Sequence, residues 1–221
     1  MPDPAALLPA LLVALMVSVL LWFAFGTQSN ISRGNRLLGW LSEGLPALGP
    51  RTTMRWLGSS VAELEIVQPR HPYREAVVMV VLEPRDLGAL WAISRSRGRR
   101  DFLLLRLSLV RSPMVSVDMI DPHAWTASDR RRDDEGPEVR STWTDAAGRV
   151  IAVHHDGRAD LATLGSLWNR LARNSGGAWR LSVRPTVPHL EIHLLLPEID
   201  RASARQLLAD VGELAGAVSP R

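Results

Sequence analysis

Residues 5–25 read AALLPALLVALMVSVLLWFAF, twenty-one positions without a charged side chain. As a helix rising about 1.5 Å per residue, they span about 31 Å, the thickness of a bilayer's hydrocarbon core. A core helix of a soluble protein would carry a polar stripe; here only Pro9 and Ser18 interrupt the run, and a membrane helix accommodates both. The stretch predicts a transmembrane helix, and the rest of the chain is read as attached to it. A cleaved signal peptide is the competing reading, because Ala24 and Gly26 resemble a cleavage site. Against it, the preceding MPDP carries an acid and no Arg, whereas a leader begins with a basic region. Arg33, Arg36, Arg51 and Arg55 follow the span and nothing basic precedes it. The positive-inside bias then puts the N-terminus outside and the C-terminal domain in the cytoplasm, as a single-pass protein of the cell membrane.

Composition excludes several chemistries. The chain has no Cys, and all 26 of its basic residues are Arg. Without Cys there are no disulfides, thiolate nucleophiles, cysteine-ligated iron–sulfur clusters or covalently attached haems. Without Lys there is no P-loop lysine, Schiff base or pyridoxal phosphate linkage, and no cofactor is implied. Residues 27–113 hold 13 Arg against 7 acids and residues 114–221 hold 13 against 15, so a net +6 sits in the membrane-proximal half. Anionic lipid headgroups explain that excess more simply than nucleic acid, which would want a sustained basic face with exposed aromatics.

Read in order, the chain divides into an anchor (1–26), a juxtamembrane amphipathic segment (27–58), a first α+β repeat (59–120), a mobile charged loop (121–138) and a second α+β repeat with a C-terminal helix (139–221). In the juxtamembrane segment Leu37, Leu38, Leu41 and Leu45 share one helical face, flanked by Arg33, Arg36 and Trp40. This pattern predicts a helix lying on the headgroups or gripping a membrane-protein partner. The NIS sequon at Asn30 falls on the predicted cytoplasmic side and carries no weight.

Alternation of Ala62, Leu64 and Ile66 with Glu63 and Glu65 predicts a half-buried strand. AVVMVVL (76–82) predicts a central strand covered on both faces. A helix over LGALWAISRSR follows, closed by Gly98, and then two strands joined by the turn at Arg111, Ser112 and Pro113. Beyond the loop, two strands around DAAGR, the helix ADLATLGSLWNRLAR and the strands WRLSVRP and HLEIHLLL repeat that order. LGALW at 87–91 recurs as LGSLW at 164–168, with Trp91 and Trp168 read as matching core plugs. The expected fold is α+β: one transmembrane helix, then a duplicated β-β-α-β-β unit with mostly antiparallel sheet. A last helix capped by Asp200 is expected to cover the second sheet face.

His189, Glu191 and His193 alternate along one predicted strand, and His154 and His155 end another. Such ligands at i, i+2 and i+4 can converge on Zn²⁺, which defines the enzyme alternative: a membrane-anchored metal-dependent enzyme using a His/Glu cluster. Simple alternation, with Leu190, Ile192 and Leu194 inward and the polar three toward water, accounts for the same residues without a metal. Arg130–Glu135, RRRDDE, reads as a solvated loop. No catalytic motif is present, so the expectation is a non-catalytic interaction or assembly subunit of a membrane-associated complex. Its partners are the lipid bilayer and a membrane protein, and homo-oligomerisation is left open.

Overall fold

The computed structural model describes residues 4–125 and 139–219. The first helix, α1 (Pro4–Ser42), runs without a break through both the apolar span and the segment expected on the membrane surface. By length and composition it could cross a membrane, and its most apolar window, mean hydropathy 2.5, has no buried residue. A short 3₁₀ turn (Leu45–Ala47) follows, and then the strands β1 (Thr52–Trp56), β2 (Val61–Ile66) and β3 (Tyr73–Val81). Helix α2 (Gly88–Ser96) leads to β4 (Phe102–Leu109) and β5 (Val117–Ile120). The second half contains β6 (Val139–Thr144), β7 (Val150–His155), α3 (Leu161–Asn174), β8 (Ala178–Val183), β9 (Leu190–Leu195) and α4 (Ala204–Val218).

The strands form one nine-stranded sheet in the order β1-β2-β3-β4-β9-β8-β5-β7-β6, antiparallel at every pairing. Alternation along each strand sends Val78, Val80, Leu103, Leu105, Ile192 and Leu194 to one face. There they meet α3, α4 and the C-terminal half of α1 in a single core. Helix α3 is capped by Asp160, whose carboxylate accepts from the Ala162 and Thr163 amides, and α4 by Ser203.

Several expectations are corrected. Leu37, Trp40, Leu41 and Leu45 are buried in this core, not spread on headgroups, because α4 supplies the apolar surface their stripe requires. Trp40 Nε1–H donates to the Ala202 carbonyl at 2.8 Å. Residues 51–58, read as juxtamembrane, contribute β1, whose Thr52 pairs with Ile66. Strand β3 is covered fully on one side only, since Val77 and Met79 are half-exposed on the other. Helix α4 shares the face of α3, capped by Ser203 in place of Asp200.

The repeated order of elements does not become a repeated topology. Strands β3 and β4, either side of α2, are antiparallel neighbours. Strands β7 and β8, either side of α3, each pair antiparallel with β5, which lies between them. Helix α3 therefore crosses over the sheet face and buries Leu164, Leu167, Trp168 and Leu171, while α2 lies against α1 and buries nothing. Trp168 is fully buried and Trp91 is not, so the two tryptophans are not equivalent plugs.

Candidate functional site at the junction of apolar helix and domain

Between its exposed apolar half and its buried half, α1 presents Trp22, Gly26, Asn30, Arg33 and Gly34 to the domain, close to one per turn. Trp22 Nε1–H donates to the Arg85 carbonyl at 3.1 Å. A Cβ on Gly26 would lie 2.3 Å from that same oxygen, and one on Gly34 equally close to the Trp56 ring. Only residues without a side chain let the helix come so near. Asn30, completely buried, donates from Nδ2 to the Glu83 carbonyl and accepts from Arg85 Nη1, both at 3.1 Å. That burial also removes the NIS sequon from the surface.

Two buried carboxylates anchor the other side. Asp101, at the entrance to β4, accepts from the Glu83 amide at 2.7 Å and from both Arg85 nitrogens at 3.1 and 3.0 Å. It also pairs with Arg33 at 2.5 Å, which ties it to α1. Glu83, 2% exposed, accepts from Trp91 Nε1 at 2.6 Å and from Arg95 Nη1 at 3.0 Å. Arg33, Arg85 and Arg95 thus face Glu83 and Asp101 in one network that links α1, the turn after β3, α2 and β4. Charge-assisted hydrogen bonds are the strong kind, and an Arg–carboxylate fork fixes direction as well as distance. The arrangement holds no nucleophile–base pair; chemically, it locks a helix into one rotation and one depth.

The metal candidates do not assemble. Strands β7 and β9 are separated by β5 and β8, so His154 and Glu191 lie about 14 Å apart at three interstrand spacings. His189 precedes β9 and is buried, its Nδ1 accepting from the Leu109 amide at 2.8 Å and its Nε2 3.2 Å from Ser112 Oγ. Burial, with Arg74 nearby, pushes its imidazole below the ordinary value. His193 bonds Glu191 at 2.8 Å; that bond, with Arg106 and Arg180 close by, holds the Glu191 carboxyl down at about 2. His155 Nδ1 accepts from the Gly157 amide. Among the described residues no group of three or more His, Cys, Asp or Glu is placed to hold a metal ion.

Of the residues expected at a membrane or partner surface, Arg36 is exposed, Leu38 is half-buried against the core and Arg33 belongs to the network. The RRRDDE stretch lies outside the described residues. Asp121 and Trp125, at the start of the expected loop, are fixed: Asp121 pairs with Arg149 at 3.1 Å and Trp125 packs on Phe102. Sequence reading gave Asn30 no weight and passed over Glu83, Arg85 and Asp101. The available signals were Gly26, Asn30 and Gly34 at four-residue spacing and an acid–proline–Arg triplet ending the strand AVVMVVL. Comparison with protein-family models and with characterised proteins finds no match to this chain. Fold and site together define an α+β protein whose projecting apolar helix is spliced rigidly into its domain.

Proposed function

We propose that this protein is a single-pass, membrane-anchored assembly subunit without catalytic activity, its N-terminus outside and its α+β domain in the cytoplasm. One observation carries the reading: α1 passes unbroken from an exposed apolar half into the domain core and is clamped between them by Asn30, Arg33, Arg85 and Asp101. A tether needs only length and apolarity, and a flexible linker would then serve. A helix held at a fixed rotation presents one chosen face of its membrane half to a neighbouring membrane protein. The Arg bias around residues 5–25 supports the orientation.

The test has two readouts. Protease added outside spheroplasts should leave residues 51–219 intact, and digestion there would overturn the topology. Full-length protein purified from native membranes in mild detergent should carry a membrane protein in fixed stoichiometry. Recovery as a lone chain after cross-linking in intact cells would overturn the assembly role.

A further inference from the structure

Helix α2 keeps its apolar residues outside every core. Leu87, at its N-cap, and Ile93 are each 50% exposed and Leu90 47% exposed, and none of the helix's nine residues is buried. Helices this short are marginal in water without a surface to pack on. The surface α2 does touch is the apolar span: Leu87 and Leu90 line a groove with Val19, Trp22 and Phe23. The Trp91 and Trp22 rings lie 6.4 Å apart, and a Cβ on Gly88 would be 2.8 Å from Trp22 Nε1. The first turn of α2 therefore sits level with residues inside the span. From Val19 to Phe25 is about 9 Å along the helix, within the roughly 5–10 Å to which interfacial helices sink their apolar face.

Charge follows the same geometry. The end of α2 and the turn after it carry Arg95, Arg97, Arg99 and Arg100, with Arg97 and Arg100 exposed. Arg95 is drawn onto Glu83 and Arg99 lies 5.4 Å over the Trp125 ring. Trp22 and Trp91 occupy the level between, where tryptophans gather at bilayer boundaries.

We propose that α2 is a second membrane element: a short helix lying in the bilayer interface beside the anchor, with Leu87, Leu90 and Ile93 among acyl chains and Arg97 and Arg100 at anionic headgroups. The proposal rests on the anchored reading above and moves the interfacial role from residues 33–45 to residues 87–100. Apolar continuity with the span and a cationic rim at its edge are what a lipid surface fits. With α1 and α2 both seated, the domain is held at two points and cannot swivel about its anchor.

Because the chain has no Cys, a single introduced cysteine reports one site. Full-length Leu12→Cys, Leu90→Cys and Met114→Cys variants carry an environment-sensitive fluorophore in vesicles of phosphatidylcholine and phosphatidylglycerol. Leu12 lies within the span, and Met114, 71% exposed, follows β4 at the end of the strand away from α2. Residues 12 and 90 should both be quenched by acyl-chain spin labels and be about tenfold less open to aqueous iodide than residue 114, as water is excluded at those depths. Residue 90 as open to iodide as residue 114, with residue 12 protected, overturns the α2 proposal and leaves the anchor standing. Residue 12 open to iodide overturns the anchor itself. Residue 90 shielded from both quenchers means protein, not lipid, covers α2, and this also overturns the proposal.

Discussion

A chain beginning at Arg51 should fail to fold, whereas one beginning at Thr27 should fold. Removing residues 1–50 strips Leu37, Trp40, Leu41, Leu45 and Leu48 from the core, each at most 7% exposed. At about 1.5–3 kcal/mol per fully buried large side chain, their loss amounts to about 8–15 kcal/mol. A domain's entire stability is about 5–15 kcal/mol, so the deletion consumes it. The Thr27 form keeps those five side chains, with Asn30 and Arg33, and loses the packing of Val19, Trp22, Phe23 and Gly26 beside α2 and Arg85. Urea unfolding followed by near-ultraviolet circular dichroism and intrinsic tryptophan fluorescence separates the two. A cooperative transition is expected for the Thr27 form and none for the Arg51 form. If the Arg51 form unfolded cooperatively at a midpoint close to that of the longer one, the C-terminal half of α1 would not be core. The single substitution Leu41→Ala, at a fully buried site, should cost about 2–5 kcal/mol in the full chain.

Asp101→Ala leaves Arg85 and the Glu83 amide without their buried acceptor and should destabilise by about 3–5 kcal/mol in urea titration. A loss under about 1 kcal/mol would mean that water replaces the carboxylate freely. Trp168→Ala should cost about 3–5 kcal/mol, against about 1–2 for Trp91→Ala, whose half-exposed ring leaves Arg95 still bonded to Glu83. Equal costs would restore the equivalence of the two helices. Glu191 has its carboxyl lowered from 4.5 to about 2 in the folded protein. Its contribution is therefore fully present above about pH 4.5 and is lost as pH falls toward 2, on the order of 3 kcal/mol at about 1.36 kcal/mol per unit. Glu191→Gln should flatten that part of the stability–pH curve, and an unchanged slope would contradict the His193 pairing.

What could be read from the sequence was whatever a local period dictates. Alternation located β2 and β9, the stretch around LGSLW fell inside α3, and an uninterrupted apolar run marked the outer half of α1. Partner choice was not legible, because hydrogen-bonded register depends on which strands meet and not on their own patterns. Two halves with the same order of elements therefore read as a duplication although β5 inserts between β7 and β8. The leucine stripe at 37–45 carries the same ambiguity, since an apolar helical face suits lipid and protein core equally. Only the tertiary partner, α4, distinguishes them. The junction was the least visible part. Asn30, Glu83 and Asp101 are distant in sequence, and each alone resembles an ordinary surface residue.

The clamp makes a claim about rotation that can be separated from a claim about mere attachment. Each residue turns a helix by about 100°, so one alanine inserted after Ser18 rotates residues 5–18 by that angle and shifts them by about 1.5 Å. Val19, Trp22, Gly26 and Asn30 keep their places against α2 and Arg85, so the domain and its junction are untouched. Four inserted alanines return the outer half to within about 40° of its original facing, at the expense of about 6 Å in length. If α1 only tethers, both insertions should leave recovery of any co-purifying membrane protein unchanged, because hydrophobic length is the only requirement. If the network exists to fix which face the partner meets, the single insertion should abolish co-purification from cross-linked membranes and the fourfold insertion should restore much of it. Equal recovery from both variants would reduce Asn30, Arg33, Arg85 and Asp101 to a local stabilising network and remove the reason for reading the helix as a partner-facing surface.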